Sequence, residues 1–347
     1  MEIKTNKRVP TCVLVLRFSA LGDVAMVAAT LHETAAACRG VEFMMVSQPF
    51  MSPLFKGSDN VSCIEADIHG RYKGLWGLWK LFLRLRDLRP DVVADLHDVL
   101  RTKVLRFFFR ISGVKVKKID KGRKEKRRLT RRRNKELRPL KTMIERYREI
   151  LNVAVGEQEV KVKEEYHWMP VVQKGGGKRL GIAPFARYKG KCYPTSRMEK
   201  IVAYFATYED IEVYLFGGGK EEVMVLSEWE KKYHVVSMAG KMPLGNELIE
   251  LSCMDVMLSM DSANMHLASF AGVPVVSVWG ATHPFAGFTG WKQTPENCVQ
   301  IEMACRPCSV FGNRLCYRGD YACMNIPEEL LIAQIEKNLF GKKENSM

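Results

Sequence analysis

The sequence predicts an α/β protein built from two Rossmann-like, doubly wound parallel-sheet domains. Three observations predict it. Short apolar runs bounded by turn residues alternate with helix-period segments along most of the 347 residues. That alternation stops once, over a charged stretch with Pro170 and Gly175-Gly176-Gly177, and then starts again. Finally, Cys253–Thr282 reads strand, tight turn, helix, strand, which is one half of a doubly wound sheet. A chain of this length buries two cores. The division expected is 1–160, a linker at 161–177, a second domain at 178–326, and a final helix and tail at 327–347.

Each element follows from local pattern. Thr11–Phe18 is a buried strand, Ser19–Asp23 a turn, and Val24–Ala37 a helix rich in Ala and Val. Strands are expected at Val41–Ser47 and Val61–Ala66, then an amphipathic helix at Leu75–Leu88 ended by Pro90. Asp91–Leu96 is a strand, Thr102–Phe109 a helix, Val114–Ile119 a strand, and residues 140–153 a helix. After the linker, strands at Lys178–Ala183, Ile211–Phe216 and Val235–Met238 alternate with helices at Ser196–Thr207, Glu221–Lys231 and Pro243–Leu251. Asp255–Ser259, the helix from His266 and Val273–Trp279 complete the second sheet, and Pro327–Leu339 is the last helix. Trp76, Trp79 and Phe82 lie near one side of their helix; they pack on the sheet or face a membrane interface, and the first reading is favoured. Phe107-Phe108-Phe109 is assigned to the core.

Charge is unevenly spread. Lys115–Arg138 holds 14 Lys or Arg against 3 Asp or Glu, so +11 of the net +15 sits there. Such a segment calls for a polyanionic partner, which is nucleic acid, an anionic membrane or a phosphorylated substrate. Its arginines have no interleaved aromatics for base stacking, which leaves a nucleic-acid-binding protein as the alternative reading only. No apolar run reaches the length of a membrane span. The opening MEIKTNKRVP has no long apolar run and reads as no signal peptide, which with ten cysteines implies a reducing cytosol.

Candidate chemistry sits where strands end. In a doubly wound sheet, loops at the carboxyl ends of strands open onto the ligand crevice. Gly22 and Asp23 follow the first strand; Gly22 permits close backbone approach, and Asp23 either caps the helix or accepts a proton from an attacking hydroxyl. Asp261, Ser262 and His266 follow a buried strand and open a helix whose N–H groups suit phosphate, unless they only cap it. Gly217-Gly218-Gly219 lacks the GxGxxG spacing and the acidic residue of a dinucleotide site, which argues against an oxidoreductase; Glu221 or Glu222 after it suits a ribose diol. Cys305, Cys308, Cys316 and Cys323 begin with zinc-knuckle spacing, but packed thiols or disulfides are the favoured reading over a metal site.

Several of these stretches together resemble glycosyltransferase family 9, the lipopolysaccharide heptosyltransferases. Arg17-Phe18-Ser19-Ala20-Leu21-Gly22-Asp23 is similar to the family's opening motif. Lys191-Cys192-Tyr193-Pro194 resembles its Lys-x-Trp-Pro segment, with Tyr193 in place of Trp. Asp261-Ser262-x-x-Met265-His266-Leu267-Ala268 followed by Val278–Thr282 resembles its donor motif, with Ala263 where Gly is usual. Asp95-Leu96-His97 and Asp120–Arg123 fall where members carry related residues.

The resemblance implies a GT-B arrangement, two Rossmann-like domains facing across a cleft, with the last helix returning to the first domain. It implies an inverting transferase that needs no metal or cofactor, using ADP-heptose and an anionic glycolipid acceptor at the cytoplasmic face of the inner membrane, with no nucleic acid. By position, Asp23 resembles the base. Lys191, Glu222, Asp261, Ser262, Ala263 and His266 match the donor-site residues. Ser19, Gly22, Arg123, Arg127 and Arg128 are assigned to the acceptor, with the basic segment placed in the first domain.

Overall fold

The computed structural model describes residues 11–156 and 176–341. The expected linker falls almost entirely outside the described residues, as do the first ten residues and the last six. The described residues form two units, one of 11–121 and 143–156, the other of 122–142 and 176–341.

The first unit runs β1 (Cys12–Leu16), α1 (Leu21–Ala37), β2 (Glu42–Ser47), β3 (Val61–Glu65), α2 (Gly74–Arg86), β4 (Val92–Asp95), α3 (Leu100–Ile111) and β5 (Lys115–Lys118). A short helix, α4 (Arg123–Leu129), belongs to the second unit, and α5 (Met143–Ala154) returns to the first. Its strands are parallel in the order β3-β2-β1-β4-β5. Successive strands are laid down outward from β1 to β3, and the chain then jumps to β4. The switch point therefore lies between β1 and β4, where Leu16 pairs with Asp95. β1 and β4 are apolar and central because α1 and α2 cover opposite faces of the sheet; α1, rich in Ala and Val, is buried along almost its whole length.

Amphipathicity in α2 resolves differently from the favoured reading. Leu78, Leu81, Phe82 and Leu85 enter the core with Leu105 and Phe109 of α3. Leu75, Trp76 and Trp79 do not; they are displaced around the helix and left exposed, as is Phe107.

The second unit runs β6 (Lys178–Ala183), α6 (Thr195–Phe205), β7 (Ile211–Leu215), α7 (Lys220–Tyr233), β8 (Val236–Ser237), α8 (Leu244–Ser252), β9 (Val256–Met260), α9 (Ala263–Phe270), β10 (Val275–Val278), β11 (Cys298–Val299) and α10 (Glu328–Phe340). Its six parallel strands take the order β11-β10-β9-β6-β7-β8, so the switch point lies between β6 and β9.

In α10, Leu331, Ile335 and Leu339, four residues apart on one face, are buried in the second unit's own core, and Arg197 of α6 bonds Glu328 at the start of the helix. One expectation is corrected by the fold. The basic segment, with Arg123, Arg127 and Arg128, is expected in the first domain. From Gly122 to Thr142 it belongs to the second. Lys135 Nζ donates to the carbonyls of Ala304, Cys305 and Arg306 at 3.2, 2.7 and 2.8 Å, Lys126 Nζ lies 4.2 Å over the Phe288 ring, and the Arg132 guanidinium 4.4 Å over Tyr317. A cluster of loop carbonyls is a natural seat for such cations, and these partners are distant in sequence, which is why local pattern does not disclose them.

Candidate active site

At the switch point of the first unit, β1 delivers Arg17 into the interior. A buried guanidinium is tolerable only with a counter-charge and filled donors. Arg17 has both. Its Nη2 pairs with Asp23 Oδ2 at 2.7 Å, Nη1 donates to Leu96 O at 2.7 Å and Tyr147 Oη at 2.9 Å, and Nε donates to Ser19 O at 2.9 Å. Tyr147, on α5, is fully buried and also hydrogen-bonds Asp23; burial pushes its phenol well above the usual range, so it stays protonated. Asp23 is therefore not the cap of α1. The N-cap position is Ala20, Asp23 sits inside the first turn, and its carboxylate, partly open to solvent, is gripped from two sides. Gly22 beside it is buried, and Ser19 lies on the same turn.

The β4 loop completes this mouth. Asp95 Oδ1 accepts from the backbone N–H groups of His97 and Asp98, both at 2.9 Å, while Arg106 pairs with Asp95 and Asp98 at 3.2 Å each. The loop is thus wired in place, and it carries His97 to Ser19. Phe18 N–H donates to His97 Nδ1 at 3.3 Å, so Nε2 carries the proton and faces Ser19 Oγ at 3.4 Å. Burial, and next the Arg17 charge, push the His97 pKa down to about 3, so the ring is neutral at physiological pH. His32 in α1 behaves alike: between Ser58 Oγ at 2.7 Å and Leu54 O at 2.9 Å, burial lowers it to about 4.

These two histidines make stability fall in acid. Each has a folded pKa below the unfolded value near 6.5, so below that pH the unfolded chain binds protons the folded chain refuses. The loss is about 1.4 kcal/mol per pH unit for each, between pH 6.5 and about 4 for His32 and further for His97. Denaturant midpoints should drop over this window, and His32→Gln should flatten the slope. An equal slope in the variant would assign the acid sensitivity elsewhere.

In the second unit, the carboxyl ends of β6 and β9 meet at their own switch point. Lys191 Nζ pairs with Asp261 Oδ2 at 3.0 Å, both side chains nearly buried. Ser262 occupies the N-cap position of α9 without making a capping bond, and its Oγ lies 3.4 Å from Ser259 Oγ; Ala263 begins the helix and His266 is buried on its first turn. So Asp261 and Ser262 are not spent on capping. Glu222 Oε2 accepts from Gly218 N–H at 2.8 Å, and burial raises its pKa, whereas Glu221 is exposed. Tyr193, by contrast, is a core residue, with its hydroxyl donating to Ile326 O at 2.7 Å.

Close backbone approach fixes Lys191. A Cβ on Gly280 would meet Gly190 O at 2.7 Å, and Ala281 N–H donates to that same carbonyl at 2.8 Å. A Cβ on Gly312, at φ +74°, would meet Lys191 Cγ at 2.4 Å. Arg306, buried, gathers the carbonyls of Trp279, Gly280, Thr282 and Ile301. Sequence reasoning missed Arg17, Tyr147 and Arg306 as builders of the two sites. The only local signals were an arginine inside a buried strand and another inside the cysteine motif.

The predicted site residues thus fall into groups. Ser19, Gly22 and Asp23 share one mouth; Lys191, Asp261, Ser262, Ala263 and His266 share another, with Glu222 after the neighbouring β7. Arg123, Arg127 and Arg128 are exposed on α4, which belongs to the second unit. The four clustered cysteines line one small cavity with Tyr317 and Tyr321; all are free thiols, and burial pushes Cys323 up to about 11. Among the described residues no group of three or more His, Cys, Asp or Glu is placed to hold a metal ion.

Comparison with known proteins matches residues 78–317 to the model of glycosyltransferase family 9 (heptosyltransferase). Lipooligosaccharide heptosyltransferase 2 of Campylobacter jejuni is 23% identical over 331 residues, 91% of this chain and 96% of that protein. A family 9 glycosyl transferase from Veillonella parvula superposes with a TM-score of 0.74 at 17% identity, covering 96% of this chain and 98% of its own. The ADP-heptose lps heptosyltransferase II of E. coli gives 0.66, also at 17% identity, over 94% and 98% of the two chains. The fold these share is the two-domain GT-B fold.

Proposed function

The chain belongs to glycosyltransferase family 9, the heptosyltransferases, and from that membership we propose that it transfers heptose from ADP-heptose to an anionic lipopolysaccharide-core acceptor with inversion at the anomeric carbon. Asp23 takes the proton of the acceptor hydroxyl as its oxygen attacks. The bond to the leaving ADP oxygen breaks on the opposite face, and the electron pair stays on the diphosphate. Lys191 neutralises that developing charge, held ready by Asp261, while Ser262, Ala263 and His266 line the sugar and phosphate end and Glu222 takes the ribose. Ser19 and Gly22 border the acceptor, and Arg123, Arg127 and Arg128 receive its anionic groups. The enzyme works at the cytoplasmic face of the inner membrane as a peripheral protein. The alternative, nucleic-acid binding, has only net charge in its favour.

One observation carries the reading: a carboxylate at the carboxyl end of β1, tied on Oδ2 by a buried arginine and not used as a helix cap. A base needs such a fixed position within reach of one hydroxyl. The purified chain, given ADP-heptose and a Kdo-lipid A or heptosyl-core acceptor, should release ADP in step with an acceptor that gains one heptosyl residue of inverted configuration. Absence of transfer across both acceptors and a panel of nucleotide sugars would reject it.

A further inference from the structure

The first unit carries a surface that the transfer reaction does not use. α2 and α3 lie side by side, and together they hold seven Lys or Arg and no Asp or Glu. Of the seven only Arg106 is buried. The outer face of this pair is also apolar. Trp76 is 77% exposed, Ile111 71% and Phe107 59%. Leu75 and Leu100 are exposed with them. The patch is continuous. Trp79 meets Phe108 edge-on at 5.0 Å, Phe108 meets Phe107 at 5.9 Å, Trp76 lies one turn from Trp79, and Ile111 one turn from Phe107. Lys80 follows Trp76 by four residues and Lys103 precedes Phe107 by four, so cations are interleaved on the same faces. Directly beyond Ile111, the edge strand β5 reads Lys-Val-Lys-Lys.

We propose that this α2–α3 face docks on an anionic lipid bilayer, with Trp76, Phe107, Leu75 and Ile111 entering the headgroup–acyl boundary and Lys80, Lys103 and Arg110 meeting the headgroups. Aliphatic and aromatic side chains between cations, without a single carboxylate, are the composition of an interfacial surface. Tryptophan prefers that depth, and each cation adds to the attraction. A second copy of the chain is disfavoured as the occupant, since a two-fold interface would set one cationic face against another. A nucleic acid would neutralise the cations but give Leu75, Leu100 and Ile111 no hydrocarbon. This deepens the membrane-peripheral part of the function proposed above and rests on it only for the lipid-linked acceptor.

The test uses the full chain with vesicles of phosphatidylcholine alone or with one-third phosphatidylglycerol, free of acceptor and donor. Leu75→Ser/Trp76→Ser/Phe107→Ser and Lys80→Glu/Lys103→Glu/Arg110→Glu alter only exposed positions. Each should cut binding to the anionic vesicles at least tenfold, with little binding of any form to phosphatidylcholine alone. Brominated lipid should quench the parent's tryptophan emission more than that of the triple-serine variant. With a water-soluble deacylated acceptor both variants should match the parent in kcat and KM, while KM for vesicle-borne acceptor rises. Unchanged vesicle binding by the triple-serine variant overturns the proposal. So does a parent dimer that this variant dissolves, or binding to RNA that exceeds binding to vesicles and is lost in the charge variant. Failure of the parent to use any acceptor, with vesicle binding intact, would instead count against the transferase reading.

Discussion

Asp23→Asn is expected to reduce kcat by about 10²–10⁴-fold, the usual contribution of a positioned general base, with donor affinity unchanged. Asn has the shape of Asp but cannot take a proton. Arg17 would still bond the amide oxygen, so the side chain should keep its place. The one structural cost is a buried Arg17 left without its counter-charge, so the thermal midpoint should be measured alongside. Initial rates of ADP release at saturating acceptor, with donor Kd by calorimetry, separate the effects. A folded variant that turns over near the parent rate would remove Asp23 from the mechanism.

The second large effect concerns Lys191 and Asp261. Lys191→Ala and Asp261→Ala should each weaken nucleotide-sugar binding by about 1–3 kcal/mol, because each removes a charged hydrogen-bonding group from a largely buried site. The 3.0 Å pair adds a further expectation. Removing either partner leaves the other as an uncompensated charge, so the double variant should cost less than the two single effects combined. Calorimetry with ADP on the three proteins measures this. Unaltered binding in both single variants, with the fold intact, would move the donor site elsewhere.

Much of this is legible from local pattern. Strand–helix alternation marks most elements within three residues, α4 and β11 excepted, and Lys191, Asp261 and Asp23 stand out because they follow apolar strands. What local pattern does not hold is pairing across the chain. Tyr147 lies 130 residues from Arg17, on a helix whose only visible feature is its amphipathicity. Arg306 is overshadowed in the sequence by the cysteines around it. Trp76 and Trp79 are assigned inward because a helical period shows that a face is apolar but not how much of it the sheet covers. Asp23, taken by itself, reads more readily as a cap because a carboxylate near a helix start looks the same either way; only the Ala20 N-cap and the Arg17 pair separate the two.

The seat of the basic segment bears on how the chain is made. Lys135 bonds carbonyls 169 to 171 residues ahead of it. At usual synthesis rates those carbonyls leave the ribosome roughly 10–30 s after the arginines do. During that interval the stretch emerges among ribosomal RNA with its final seat not yet translated, and closing so long a loop comes late in folding. A nascent chain stalled in the stretch after α5 would display this polycation outright. The second unit is thus completed by a piece of chain that precedes α5, and the second half of the gene does not encode that unit by itself.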